Sequence, residues 1–342
     1  MSNRLLARYA ECIFWLARFV ERAENLARII EVQETYARDR GGSPQWLSIV
    51  QLHADEEIFA ARHSAATSDS VIRFYLTDGD NPSSILSAVR AARENARSLR
   101  SLVSTEMWVQ LNVFYNRMTA INEDELLPGV LSPLLTTIKE ACQAFTGIVE
   151  GTFYRDQAWY FYRLGRYIER ADQTTRLLDS KYYVLMRDGS ITNVVNIAQW
   201  LALLRAASGY HAFRLLHQSD LSPARVANFL LLNPRFPRSV RLCVREIDAA
   251  LTNLKSRYNL RAGNDVAEGL DQLRSILDTR SIEQILAGGL HEFIDFIQRY
   301  LIAVTDRLGA AFFGHPAATA AEWQNAELWP PFADALPIQP QG

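Results

Sequence analysis

Apolar residues recur along this chain with the period of a helix. Between positions 16 and 30, Leu16, Phe19, Val20, Ala23, Leu26, Ala27 and Ile30 share one face at about 100° per residue. Arg18, Glu21, Glu24, Asn25 and Arg28 share the opposite face. The pattern predicts a helix from Arg4 to Arg38, stopped by the breakers Gly41-Gly42-Ser43-Pro44. A second helix follows from Gln45, then a short apolar piece, Val71 to Leu76, leading into Asp78-Gly79-Asp80-Asn81-Pro82. Proline is accepted in a first helical turn, so Pro82 and Pro237 are each expected to open a long helix. These helices are expected over 83–121 and 238–258, with further helices over 134–154 and 285–313. Residues 122–133 read as a loop. No segment alternates apolar and polar residues as a half-buried strand would, so the expected fold class is all-α.

The charged helix occurs twice. Arg18 to Glu31 reads R-F-V-E-R-A-E-N-L-A-R-I-I-E, and Arg166 to Asp179 reads R-Y-I-E-R-A-D-Q-T-T-R-L-L-D. Arg18/Arg166, Glu21/Glu169, Arg22/Arg170, Ala23/Ala171 and Arg28/Arg176 are identical at an offset of 148, and Glu24/Asp172 and Asn25/Gln173 are alike. Later matches keep the order: Trp46/Trp200 at offset 154, Pro82/Pro237 and Ser84/Ser239 at 155, and Phe153/Phe312 at 159. An offset that creeps is what loop insertions produce. The expectation is an internally duplicated bundle of two five-helix halves with pseudo-two-fold symmetry, residues 1–154 and 155–313. A Pro-rich tail, 314–342, follows, with Trp323 and Trp329 pinning it to the body.

The repeat also marks the candidate site. One exposed ion-paired helix face needs no function, since such pairs are common and weak. Two faces with the same signs at the same spots suggest a polar network packed against another element or a ligand. The candidate network is Arg18, Glu21, Arg22, Glu24, Arg28, Arg166, Glu169, Arg170, Asp172 and Arg176. Glu24 and Arg28 have the favourable four-residue spacing, and Arg18 can meet Glu21 three residues on. Two basic stripes, Arg90/Arg93/Arg97/Arg100 and Arg238/Arg241/Arg245, read as solvated helix faces diluted by Glu94 and Glu246.

Composition narrows the chemistry. The chain has 342 residues, 49% of them hydrophobic, which is ample for a core. A formal net charge of −2 argues against a nucleic-acid partner. No apolar run reaches the ~20 residues of a membrane span, and the N-terminus is not a signal peptide. Cys12, Cys142 and Cys243 are scattered and odd in number, suiting buried thiols in a reducing cytoplasm. Bundle metal sites use Glu-x-x-His pairs, whereas the motifs here are Glu21-x-x-Glu24 and Glu169-x-x-Asp172 crowded by arginine. Arginine neighbours lower a carboxyl pKa, and no phosphate loop, nucleophile elbow or Cys/His pattern is present. No cofactor, metal or catalytic residue is expected.

With these motifs placed, the chain resembles the bacterial alpha-E family. The resemblance rests on W-L-A-R-F-V-E-R-A-E-N-L-A-R from Trp15, L-G-R-Y-I-E-R-A-D from Leu164 and F-L-L-L-N-P-R-F-P-R-S-V from Phe229. The first-half counterpart of the last motif, 74–85, is degenerate. Members of that family look like companions of circularly permuted ATP-grasp ligases and transglutaminase-like peptidases. The resemblance therefore implies an accessory or scaffold role in making or modifying a peptide or amide. The alternative is an enzyme or carrier binding an anionic or zwitterionic molecule or peptide between the two halves.

Overall fold

The computed structural model of the chain describes residues 5–40, 46–127, 129–187, 194–218 and 221–316. The breaker at 41–44 and the tail with Trp323 and Trp329 lie outside the described residues. The chain begins with α1 (Ala7–Arg40), α2 (Leu47–Leu52), α3 (Glu56–Ala60) and α4 (Ser68–Leu76). Next come α5 (Ile85–Ser98), α6 (Thr105–Thr119), a 3₁₀ turn (Glu123–Leu126) and α7 (Leu131–Thr152). The second stretch holds α8 (Gln157–Arg187), α9 (Val194–Ala206), α10 (Tyr210–His217) and α11 (Pro223–Leu232). It ends with α12 (Val240–Tyr258), α13 (Asn264–Thr279), α14 (Ile282–Ala287), α15 (Leu290–Leu308) and a π turn (Gly309–Phe313). Among the described residues there is no strand; the fold is all-α.

α1 and α8 are the shared axis. They run in the same direction: Leu5 N–H donates to Gln157 Oε1, the Phe14 carbonyl faces Gly165, and Arg22 meets Glu169. α5 and α7 cover α1, while α12 and α15 cover α8. The short helices cross over: α9 packs on α1 and α2 on α8. Both long helices are therefore buried on their polar as well as their apolar side. Leu16, Ala23, Ala27 and Ile30 are in the core, and so are Glu21, Glu24 and Arg28.

Several expected helices are shorter than their periodicity suggests. The helix expected over 83–121 is two, α5 and α6, parted at 99–104, where Ser104 Oγ accepts the Met107 N–H and starts a new helix. Pro82 and Pro237 do not open helices. Each lies two residues before a serine N-cap, Ser84 and Ser239, which take the N–H groups of Ser87 and Leu242. The preceding Asn81 and Asn233 turn the chain by accepting downstream backbone N–H groups. The helix expected over 285–313 is α14 and α15, separated at Gly288-Gly289, where Gly289 takes φ 92°. Residues 122–133 hold the 3₁₀ turn and the start of α7. Among the described residues, 1–154 hold α1–α7 and 155–313 hold α8–α15, more than the five helices expected in each stretch.

Candidate functional site

Two acid clusters lie on the α1–α8 contact, each clamped by arginines of the opposite helix. Glu169, fully buried, accepts Arg18 Nε at 2.7 Å, and Arg22 Nε and Nη2 at 2.6 and 3.1 Å. Glu21, 3% exposed, accepts Arg170 Nε and Nη2 at 2.8 and 2.7 Å, and Arg166 Nε stands 3.9 Å away. The fork of a guanidinium suits such two-oxygen contacts, which lysine cannot reproduce. One residue of each Glu-Arg dipeptide is thus the anion and the other the grip on the opposite anion.

The same crossing extends further along the helices. Arg28 pairs with Glu24 and sends Nη1 to the Ala206 carbonyl at 3.0 Å and Ser208 Oγ at 2.7 Å. Arg176 pairs with Asp172 at 2.8 Å and sends Nη1 to the Leu52 carbonyl at 2.8 Å. Each arginine thereby closes the C-terminal end of a short helix from the other half of the chain. All ten candidate residues meet along this seam, in two clusters. Arg18 does not pair with Glu21, as its spacing allowed, because Glu169 offers it a carboxylate across the interface.

Burial by itself pushes the Glu21 carboxyl up, but Arg170 and Arg238 outweigh it and hold the group below its ordinary range. Glu169 is lowered in the same way, against its own desolvation, by Arg22 and Arg18. Both carboxylates stay ionised through the neutral range, which suits constant charge rather than proton transfer. A carboxyl pKa that is lower folded than unfolded adds stability above the unfolded value, about 4.3 for Glu. Urea midpoints should therefore hold near neutral pH and fall steeply below about pH 4, and Glu21→Gln should flatten that fall. The thiol of Cys243, fully buried, is pushed up to about 12 chiefly by desolvation, and burial raises Cys142 and Cys12 as well.

One central residue escaped the sequence reading. Arg238 is 8% exposed and no part of a solvated stripe. Its Nη1 donates to Glu21 Oε1 and Asn25 Oδ1, both at 2.9 Å, and its Nη2 to Glu24 Oε1 at 2.7 Å. The available signal was its place in N-P-R-F-P-R-S, directly before the Ser239 cap. In the other stripe Arg93 is half-buried, its guanidinium over the rings of Tyr115 and Trp108 and bonded to Asn112.

The Glu169 cluster borders a pocket of about 360 Å³ between α1, α8, α15 and the end of α2. Arg18, Arg22, Asp172, Gln173 and Arg176 supply its polar wall. Trp15, Ile168, Leu301 and Ile302 supply the apolar one. His53 also lines it, its pKa pushed down to about 4 chiefly by burial, and is neutral at pH 7. Among the described residues no group of three or more His, Cys, Asp or Glu is placed to hold a metal ion. Nor is any described helix long and apolar enough to cross a membrane.

No solved structure matches this chain. Uncharacterised proteins of Mycobacterium bovis and of two Mycobacterium tuberculosis strains are similar to it, each 22% identical over 339 residues. The match takes in 91% of this chain but only 37% of those proteins, so the chain spans little more than a third of the length of these curated relatives. A family model described as a predicted alpha-helical domain with a conserved ER motif matches residues 5–313. Glu21-Arg22 and Glu169-Arg170 are the two Glu-Arg dipeptides of the clamps, and the chain belongs to this family, Alpha-E.

Proposed function

We propose that this chain is a non-catalytic binding module of a cytoplasmic amide- or peptide-forming system. In this reading it serves a circularly permuted ATP-grasp ligase and a transglutaminase-like protein, and holds a charged small molecule or peptide side chain. The observation that carries it is the pocket beside Glu169, open where the Glu21 cluster is filled and walled by charges on the two central helices. Carboxylates locked by arginine suit holding a ligand better than moving protons. The longer mycobacterial relatives favour a partnership too, since there the matched region is one part of a larger polypeptide.

We infer as well that residues 1–154 and 155–313 are copies of one unit joined by pseudo-two-fold symmetry. The crossed contacts support this: Arg28 reaches the Ala206 carbonyl and Arg176 that of Leu52, and these two carbonyls stand at the same offset as Trp46 and Trp200.

The test is affinity capture of the tagged chain from its own cells, with mass spectrometry of co-eluting proteins and small molecules. An ATP-grasp ligase and a charged metabolite or peptide, both lost when the pocket is blocked by Ile302→Trp, are expected. Amide formation by the purified chain alone, abolished by Glu21→Gln in a folded protein, would overturn the non-catalytic reading.

A further inference from the structure

The two clusters differ at one position, and the difference specifies a ligand. Ser84 and Ser239 cap α5 and α12 in the same way, so the residues just before them, Ser83 and Arg238, leave equivalent turns. Arg238 reaches inward and completes the Glu21 cluster with its guanidinium. Ser83 is too short to do so; its Oγ donates to Asp55 Oδ1 at 3.1 Å, and it lines the open pocket.

One of the acceptors that Arg238 satisfies has a counterpart without a donor, on a residue that lines that pocket. Asn25 donates its amide to Glu21 Oε1 at 3.1 Å and turns its oxygen to Arg238. Gln173 donates its amide to Glu169 Oε1 at 3.2 Å in the same manner. A carboxylate only accepts, so the NH₂ end of Gln173 must face Glu169, which fixes where its oxygen goes. That oxygen, on a residue 4% exposed, has no hydrogen-bond partner. A buried acceptor left unpaired costs about 1–3 kcal/mol, so the site gains from a donor placed there. Glu24, which takes Arg238 Nη2, is matched by Asp172, which commits Oδ2 to Arg176 and also lines the pocket.

Carboxylates stand around the pocket as well: Asp172 lines it, Glu169 lies behind Arg18 and Arg22, and Asp55 holds Ser83. Leu301 and Ile302 of α15 offer an apolar wall along which an aliphatic stem can lie.

We propose that this pocket binds a guanidinium group on an aliphatic stem, borne by a free amine metabolite or by an arginine side chain of a peptide. This rests on the binding-module reading above and names its ligand class. The group would donate to Gln173 Oε1 and Asp172 as Arg238 donates to Asn25 and Glu24 within the same protein.

The test is calorimetric titration of the full chain with agmatine and with a blocked Gly-Arg-Gly peptide. The citrulline peptide, neutral and nearly isosteric, and glutamate serve as comparison probes. Agmatine or the arginyl peptide should bind at least about tenfold more tightly than citrulline or glutamate, and the tighter of the two identifies the source. Ser83→Arg, which lets the chain fill its own pocket, should abolish that binding and keep the fold by circular dichroism. Equal binding of the citrulline peptide, or guanidinium binding untouched by Ser83→Arg, overturns the assignment. Glutamate binding that Ser83→Arg does block overturns the guanidinium ligand yet leaves the binding module standing. Binding of none of the four probes to folded protein removes the guanidinium site, and capture of a different pocket ligand from cells would then decide the broader reading.

Discussion

Replacing Glu21 by alanine should lower the stability of this protein by about 3–5 kcal/mol, among the largest effects a single substitution can have here. The cost does not come from losing one attractive pair. It comes from leaving Arg170 and Arg238 inside, with side chains 8% and 10% exposed, facing no carboxylate oxygens of Glu21. Arg166 loses the more distant of its two anions in the same step and keeps Glu150 at 3.3 Å. A fall of about 4–7 °C in melting temperature is expected. Exposed Glu268→Ala, by contrast, should stay within about 0.5 kcal/mol of the wild type. Equal melts for the two variants would mean that the clamps carry no load.

Gly165→Ala should have an effect of similar size by a different route. A Cβ at position 165 would sit 2.2 Å from the Phe14 carbonyl oxygen and 3.0 Å from its carbon. The obstacle is backbone, so no side chain can swing aside and α1 must move away from α8. Overpacking usually costs about 1–3 kcal/mol, and the upper end or beyond is expected because the entire interface shares the displacement. Arg18 and Glu169 lie one turn on from this contact, so the displacement also stretches their 2.7 Å pair. Gly147 in α7 has open space where its Cβ would lie, and Gly147→Ala should instead stabilise by about 0.5–1 kcal/mol. Paired denaturant melts of the two glycine variants, moving in opposite directions, would separate close packing from helix propensity.

Part of this was legible in the sequence. The 3.6-residue period located both central helices, and the sign pattern of Arg18, Glu21, Glu24 and Arg28 marked the stretch that faces its own counterpart. The Glu24–Arg28 and Asp172–Arg176 pairs follow from spacing alone. Periodicity assigns a polar face to solvent, however, and cannot see that a second polar face covers it. Arg18 and Glu21 are spaced to pair with each other, yet Arg18 finds Glu169 far along the chain, a choice made by tertiary packing. Arg238 was hidden because one arginine at a turn looks the same whether it points into water or into a cluster of acids. The breaks at 99–104 and Gly288-Gly289 were missed because capping by Ser104 and a left-handed glycine are local events inside otherwise helical patterns. The pocket could not be read at all: its walls come from α1, α8, α15 and Ser83, stretches that only the tertiary fold brings together.

The measurement that bears most directly on the crossed clamps is a double-mutant cycle on Glu21 and Arg170. Denaturant unfolding of the wild type, Glu21→Ala, Arg170→Ala and the double variant yields the coupling between the two side chains. Their two-point contact at 2.7 and 2.8 Å, buried between α1 and α8, predicts a coupling of about 2–3 kcal/mol, with the double variant far less damaged than the sum of the singles. Additive losses, with a coupling within about 0.5 kcal/mol of zero, would contradict the account.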